Sequence, residues 1–299
     1  MKILKNKTDF AVIVNVKNAN PNGDPLNGNR PRINYDGLGE LSDVCIKRKI
    51  RNRLMEAEHA IFVQSDDKRL DDYKSLRERA EEELKGIDMK DDKKYREEAC
   101  KKWIDVRSFG QVFAFKGNAK KGKKNVEDGG EQGGGKGVSI GIRGPVSIHN
   151  AFSVSPVSIS SIQITKSVSG EGDGTKRASD TMGMKHRVDH GVYVFYGSIN
   201  PQLASKTGFS DEDAEAIKQA LKTLFQNDAS SARPEGSMEV YKVYWWKHNC
   251  ANGQYSSARV HRTLKISLKP EVTSPKDIND YEISIEDLDG LKPEVIDGL

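Results

Sequence analysis

Three cations crowd one side of a short segment, Ser42-Asp43-Val44-Cys45-Ile46-Lys47-Arg48-Lys49-Ile50-Arg51, which follows a turn-rich stretch, Asn20-Pro21-Asn22-Gly23-Asp24-Pro25, and an Arg30-Pro31-Arg32 triplet. Asn, Gly, Asp and Pro each favour tight turns for separate backbone reasons, so residues 18–31 are expected to reverse the chain after an apolar strand at Phe10–Val16. Ser42 is placed to cap a helix running from Asp43 to about Met55, and Asp43 suits the positive end of its dipole. At about 100° per residue, Ile46, Ile50 and Leu54 make one stripe, with Lys47, Arg48 and Arg51 beside it. No acid lies between residues 46 and 54, so the expected counter-charge is a distant acidic patch or a bound polyanion. The rigid proline between Arg30 and Arg32 would hold two guanidiniums at a spacing suited to consecutive phosphates, or leave one to brace Asp24 or Asp36.

Other chemistries fit less well. Gly130 to Gly137 matches a phosphate-binding loop as far as Lys136, but Gly137 stands where Ser or Thr would hold magnesium, and the preceding segment is charged loop. A nucleotide hydrolase is excluded on that ground, while Lys136 and its flanking amides remain suited to an RNA phosphate. His59, His149, His186, His190, His248 and His261 are scattered; His186 and His190 would share a metal only on a helix, and their surroundings predict a hairpin. Cys45, Cys100 and Cys250 match no zinc or redox spacing. No cofactor and no metal is expected. There is no nucleophile elbow or paired-carboxylate signature, so the expected protein is not an enzyme.

The turn-and-helix segment closely resembles the signature of the CRISPR-associated backbone subunits of the type I-C Cascade effector, which coat the guide RNA as a helical filament. Ser179 to Asp189 followed by Gly191 to Asn200 resembles the same family's thumb base and succeeding core strand, and the likeness runs nearly full length, weakest over 56–135. The resemblance implies a crRNA-binding, homo-oligomeric RAMP-superfamily protein. Its implied partners are target DNA, the Cascade subunits capping the filament, and a nuclease-helicase recruited to the loaded complex. The residues expected to contact RNA are Asn20, Asn22, Arg30, Arg32, Lys47, Arg48, Arg51, Lys136 and Arg143. The resemblance further implies a thumb that wedges guide–target duplex, and Met182, Met184, Lys185, His186 and Arg187, at the end of the polar hairpin tip, are the expected wedge, with packing of both methionines onto the palm or a neighbour as the alternative. The rival expectation is a metal-independent endoribonuclease of CRISPR precursor RNA, with His186, His190 or His149 as base.

The elements that must position these residues follow from pattern. A chain of 299 residues with mean hydropathy −0.68 suits a modest core with solvated elaborations. The net charge of +4 divides into −7 over residues 270–299, expected as an acidic tail, and +11 elsewhere. No run approaches the roughly 20 apolar residues of a membrane span, and a cytoplasmic protein is expected. Residues 71–103 predict solvated helices, and 117–137 a mobile Gly/Lys-rich loop that orders against RNA. Strands are expected at Gly110–Phe115, Val138–Ile142, Val154–Thr165, Tyr193–Ile199, Glu239–Trp246 and Val260–Leu268, with a capped helix at Ser210–Asn227. The two β-α-β halves predict an α+β, modified ferredoxin-like (RRM-type) palm. To this the resemblance adds helical fingers and a protruding β-hairpin thumb. The expected divisions are palm 1–55, fingers 56–108, palm strands with the loop 109–160, thumb 161–191, palm 192–269 and tail 270–299.

Overall fold

The computed structural model describes residues 2–115, 138–165 and 182–299. The first strand, β1 (Thr8–Ala19), runs into an arm carrying the short ribbon β2 (Gly23–Asp24) and β3 (Arg30–Pro31) and then β4 (Leu38–Leu41). The helix α1 (Asp43–Glu56) follows, capped by Ser42 Oγ, which accepts from the Cys45 amide. Three helices come next, α2 (Leu76–Glu83), α3 (Asp92–Lys102) and α4 (Ile104–Phe109), then the hairpin β5 (Gly110–Phe115) and β6 (Val138–Arg143). Beyond lie β7 (Val146–Ile148), β8 (Ala151–Pro156), β9 (Ile159–Thr165) and the 18-residue β10 (Met182–Ile199). The chain continues through α5 (Pro201–Thr207), α6 (Asp211–Lys222), β11 (Met238–Lys247), α7 (Ser257–His261), β12 (Leu264–Leu268), β13 (Tyr281–Ile285) and β14 (Glu294–Asp297).

The protein is a mixed α/β fold around one large antiparallel sheet, ordered β14-β11-β1-β10-β8-β4, with β7 and β9 also paired to β10. Alternation on β1 decides the layers. Val12, Val14 and Val16 face one way and meet Ile46, Ile50 and Leu54 of α1 and Ile217 and Leu221 of α6. Ala11 and Ile13 face the other way, where Val260 of α7, Leu264, Tyr281, Leu288 and Leu291 cover them together with Tyr244 and Trp246. The cover reaches β8, where Tyr281 bonds Ser155 and Val154 joins the cluster, and beside it lies a cleft of about 860 Å³ lined by Phe152, Tyr196, His149 and Ile266. A second core gathers Phe62, Tyr95, Trp103 and Phe113, and it binds the helices after α1 to the β5–β6 hairpin.

The expected strands at Phe10–Val16 and Tyr193–Ile199 are the neighbouring central strands β1 and β10, paired from Thr8↔Ile199 to Ala19↔Val188. Three expectations are corrected. Gly110–Phe115 and Val138–Arg143 pair with each other and join the helical core, not the large sheet. Val260 belongs to α7, because Ser256 caps a helical turn there, and β12 starts only at Leu264. Residues 270–299 are no tail: β13 pairs with β12, β14 extends the sheet edge beside β11, and the acids meet cations in Lys218–Glu294 and Lys242–Asp297. The Gly/Lys-rich loop and the hairpin tip, 116–137 and 166–181, lie outside the described residues. Among the described residues no helix is long and apolar enough to cross a membrane.

Candidate nucleic-acid interface

The arm is welded to the start of α1. Asn22 Oδ1 accepts from the Ser42 amide at 2.9 Å and from its hydroxyl at 3.0 Å. Asn150 Oδ1 accepts from the Asp43 amide at 2.8 Å while its Nδ2 donates to Glu40. Asn20 is buried and donates to the Asn29 carbonyl at 2.6 Å. Both side chains therefore help to build the arm, Asn20 from a buried position and Asn22 from a half-buried one.

The two arginines of the triplet part company. Arg32 Nη2 pairs with Asp24 at 3.2 Å, the brace that was the alternative to a phosphate contact. Arg30 Nη1 donates to Ser161 Oγ at 3.0 Å, and the same hydroxyl lies 2.8 Å from His186 Nδ1. Ser161 and His186 face each other across the β9–β10 ribbon, so Arg30 fastens the arm to the ribbon's root. Nothing in the sequence marks Ser161, since it lies 131 positions from Arg30.

The cationic ridge on α1 is largely neutralised, which corrects the expectation of an unpaired trio. Lys47 pairs with Asp43 at 2.8 Å, one turn back. Arg51 Nε meets Asp105 Oδ2 at 2.9 Å, and its guanidinium lies over the Phe109 ring. Asp105 is 1% exposed and also accepts from the Phe62 and Val63 amides, so this pair is interior structure. Lys49, on the buried side, pairs with Asp228; burial lowers its pKa, against the opposing pull of Asp228. Arg48 alone of the trio is exposed and has no hydrogen bond or ion pair among the described residues.

The ribbon carries the other free groups. Met182 and Met184 are 62% and 54% exposed, and Ile162 and Ile164 stand across from the Lys185 and Gly183 positions, also exposed. Lys185 is exposed and has no ion pair among the described residues, whereas Arg187 sits 3.8 Å from Asp189. Arg143 is exposed on β6, opposite Gly110. Lys136 lies outside the described residues.

The histidines do not converge. His186 and His190 are four residues apart on one strand, about 13 Å at strand rise, too far to share a metal. His190 Nε2 bonds Asn15 at 3.0 Å, and the ring of His149 stands edge-on to His261 at 5.8 Å between ring centres. Sequence reasoning missed a sealed pair, His248 Nε2 on Asp9 Oδ2 at 2.9 Å, both side chains fully buried. Burial would raise the Asp9 pKa, but His248, Ser257 and Lys7 hold it below the usual carboxylate value. His248 Nδ1 accepts the Gln254 amide, so its proton is on Nε2 and the pair is a structural clamp.

Residues 6–286 match the family model of CRISPR-associated protein Cas7, and the chain belongs to that family. A CRISPR-associated protein Cas7 of Haloferax volcanii is 25% identical over 232 residues, covering 76% of this chain and 66% of that protein, so the chain spans just under two thirds of its relative. Two solved structures are also similar. A chain of a "CRISPR RNA-guided surveillance complex, pre-nicking" aligns at TM-score 0.48 and 13% identity over 90% of this chain and 84% of that chain. One of a "CRISPR RNA-guided surveillance complex" aligns at 0.40 and 16% over 80% and 68%.

Proposed function

We propose that this chain is a non-catalytic, crRNA-coating backbone subunit of a type I-C Cascade. Copies polymerise along the guide and present its bases to complementary target DNA. The filament is capped by other Cascade subunits, and the nuclease-helicase is recruited once target is bound. Sequence discrimination then belongs to base pairing, and the protein grips phosphates without regard to sequence. The strand order β11-β1-β10-β8 with α1 and α6 on one face supports a ferredoxin-like palm. The helical second core supports the fingers, and the β9–β10 ribbon the thumb.

The observation that carries the reading is the bonded root Arg30–Ser161–His186, which joins the signature arm to a ribbon with exposed Met182 and Met184. Flexible apolar side chains at that place suit splayed bases, and Arg48, Lys185 and Arg143 supply free cations for the backbone. Binding of two guide-length RNAs of unrelated sequence to wild type and to Arg30→Ala/Arg48→Ala tests this. The variant should lose affinity equally for both RNAs, and its salt slope should fall by about 0.7 per lost contact. Unchanged affinity and slope would remove both residues from the interface. Cleavage of repeat RNA that disappears in His186→Ala would replace the binding-only reading with the nuclease.

A further inference from the structure

At the root of the ribbon a cleft of about 430 Å³ opens between the end of β1, the β8–β9 junction, β10 and residues 274–276. Lys17, Lys276, Ser158 and Ser274 line it, with Asp189 and the buried His190. Lys17 and His190 are direct partners across β1 and β10, so they share one face of the sheet.

Two features of this cleft have no internal explanation. First, neither lysine's ammonium group has a hydrogen bond or ion pair among the described residues, although acids stand nearby. Those acids are already engaged: Asp189 faces Arg187, Asp280 accepts the Lys276 and Asp277 amides, and Asp277 accepts from Asn279. Second, His190 is 7% exposed, and its Nδ1 is buried without a hydrogen-bond partner. Asn15 donates its amide nitrogen to Glu239 at 2.8 Å and so turns its oxygen to His190 Nε2, which must carry the proton. Nδ1 is left bare in the neutral ring, and the nearby Pro275 carbonyl can satisfy it only when the ring is protonated. An anion between the two ammonium groups would neutralise them and favour that proton as well.

We propose that this cleft is a phosphate site. One phosphoryl group is held by Lys17 and Lys276, with the Ser158 and Ser274 hydroxyls as further donors, beside His190. The guide-coating reading bears only on the source of the phosphate, which is guide RNA, paired DNA or free phosphate.

Inorganic phosphate titrated into the full-length protein, with the histidine ring signals followed by NMR, tests the chemistry. The His190 signals should move saturably in wild type and stay fixed in Lys17→Gln/Lys276→Gln, whose two changes lie at the surface and leave the core intact. The salt dependence of affinity is then measured for guide-length RNA, and for complementary DNA on guide-loaded protein. The slope should fall by about 0.7 in the arm whose strand supplies the phosphate. A fall with RNA assigns the guide, a fall with DNA assigns the target, and a phosphate-induced shift with neither assigns the free ion. No shift of His190 and no change of slope in either arm overturns the site. A protein that shows the shift but coats no RNA keeps the site and loses the guide-coating reading instead.

Discussion

Replacing Arg51 by alanine should unfold the protein sooner and leave RNA affinity almost untouched. Among the described residues the guanidinium is the sole cation on Asp105, in an ion pair with side chains 14% and 1% exposed. Removing one partner of such a pair costs about 3–5 kcal/mol, because a buried charge is left behind. Asp105 keeps two backbone donors, Phe62 and Val63, so the lower end applies, about 3 kcal/mol. At roughly 2 °C per kcal/mol for a chain of this size, the midpoint should drop by about 6 °C. Urea unfolding of wild type, Arg51→Ala, Asp105→Asn and the double variant gives the coupling, which should exceed about 1 kcal/mol. Filter binding on the same four proteins gives RNA affinity, with Arg48→Ala as the counter-case, stable to within about 0.5 kcal/mol. If Arg51→Ala were as stable as wild type and bound RNA poorly, Arg51 would face the nucleic acid, and the interior pairing described here would be wrong.

Gly39→Ala should cost about 1–3 kcal/mol, measured by urea denaturation, because a Cβ there would stand 2.1 Å from the hydroxyl of fully buried Tyr193 and push the arm off the sheet. Acidification should destabilise the fold below pH 6.5. Burial depresses the pKa of both His190 and His261 beneath their ordinary 6.5, so the unfolded chain takes up protons first, and stability present above 6.5 is lost as pH falls. Thermal midpoints from pH 7.5 to 5 should fall less steeply in His261→Gln than in wild type. Met182→Ser/Met184→Ser should leave stability within about 0.5 kcal/mol, since both side chains are exposed, while weakening target pairing on guide-loaded protein in a gel-shift assay.

The local signals were legible because they sit within a few residues of their effect. Ser42 caps α1, and Ile46, Ile50 and Leu54 are buried as their spacing required. Ser210 and Asp213 form the capping box of α6, and Ala214, Ile217 and Leu221 are on its buried side, with Leu224 buried just past its end. The charges were not legible in the same way. Arg51 finds Asp105 at a separation of 54 positions and Lys49 finds Asp228 at 179, so a window free of acids says nothing about neutralisation. The acidic C-terminal segment misled for the same reason: two of its carboxylates, Glu294 and Asp297, are matched by Lys218 of α6 and Lys242 of β11, far back in the chain. Asn20 and Asn22 were rightly placed in a turn, but the bonds their side chains make to the Asn29 carbonyl and to Ser42, which tie the arm together, were not legible.

The covered sheet narrows where bases can stack. Proteins built on an RRM-type sheet commonly lay bases on aromatic residues of its open face. Here that face is closed over β11 and β1: Tyr244 and Trp246 are 5% and 1% exposed beneath α7, β12 and β13. Opening it would expose Val260, Leu264, Tyr281, Leu288 and Leu291 together, at about 1.5–3 kcal/mol for each large apolar side chain. No single base stack, worth about 1–3 kcal/mol, offsets that. Under the guide-coating reading, contact with bases therefore falls to groups already outside the core, the Met182 and Met184 ribbon and, on the arm, Leu26 and Tyr35, which are 98% and 110% exposed. Tyr35 stands on a turn whose Asn34 side chain accepts from the Asp36 and Leu38 amides, so its ring is held out by a rigid support at little entropic cost. Tyr35→Ala should therefore weaken guide binding without changing its salt slope, whereas Arg48→Ala should change both; equal slopes for the two variants would show that Tyr35 acts through the backbone contacts and not through a base.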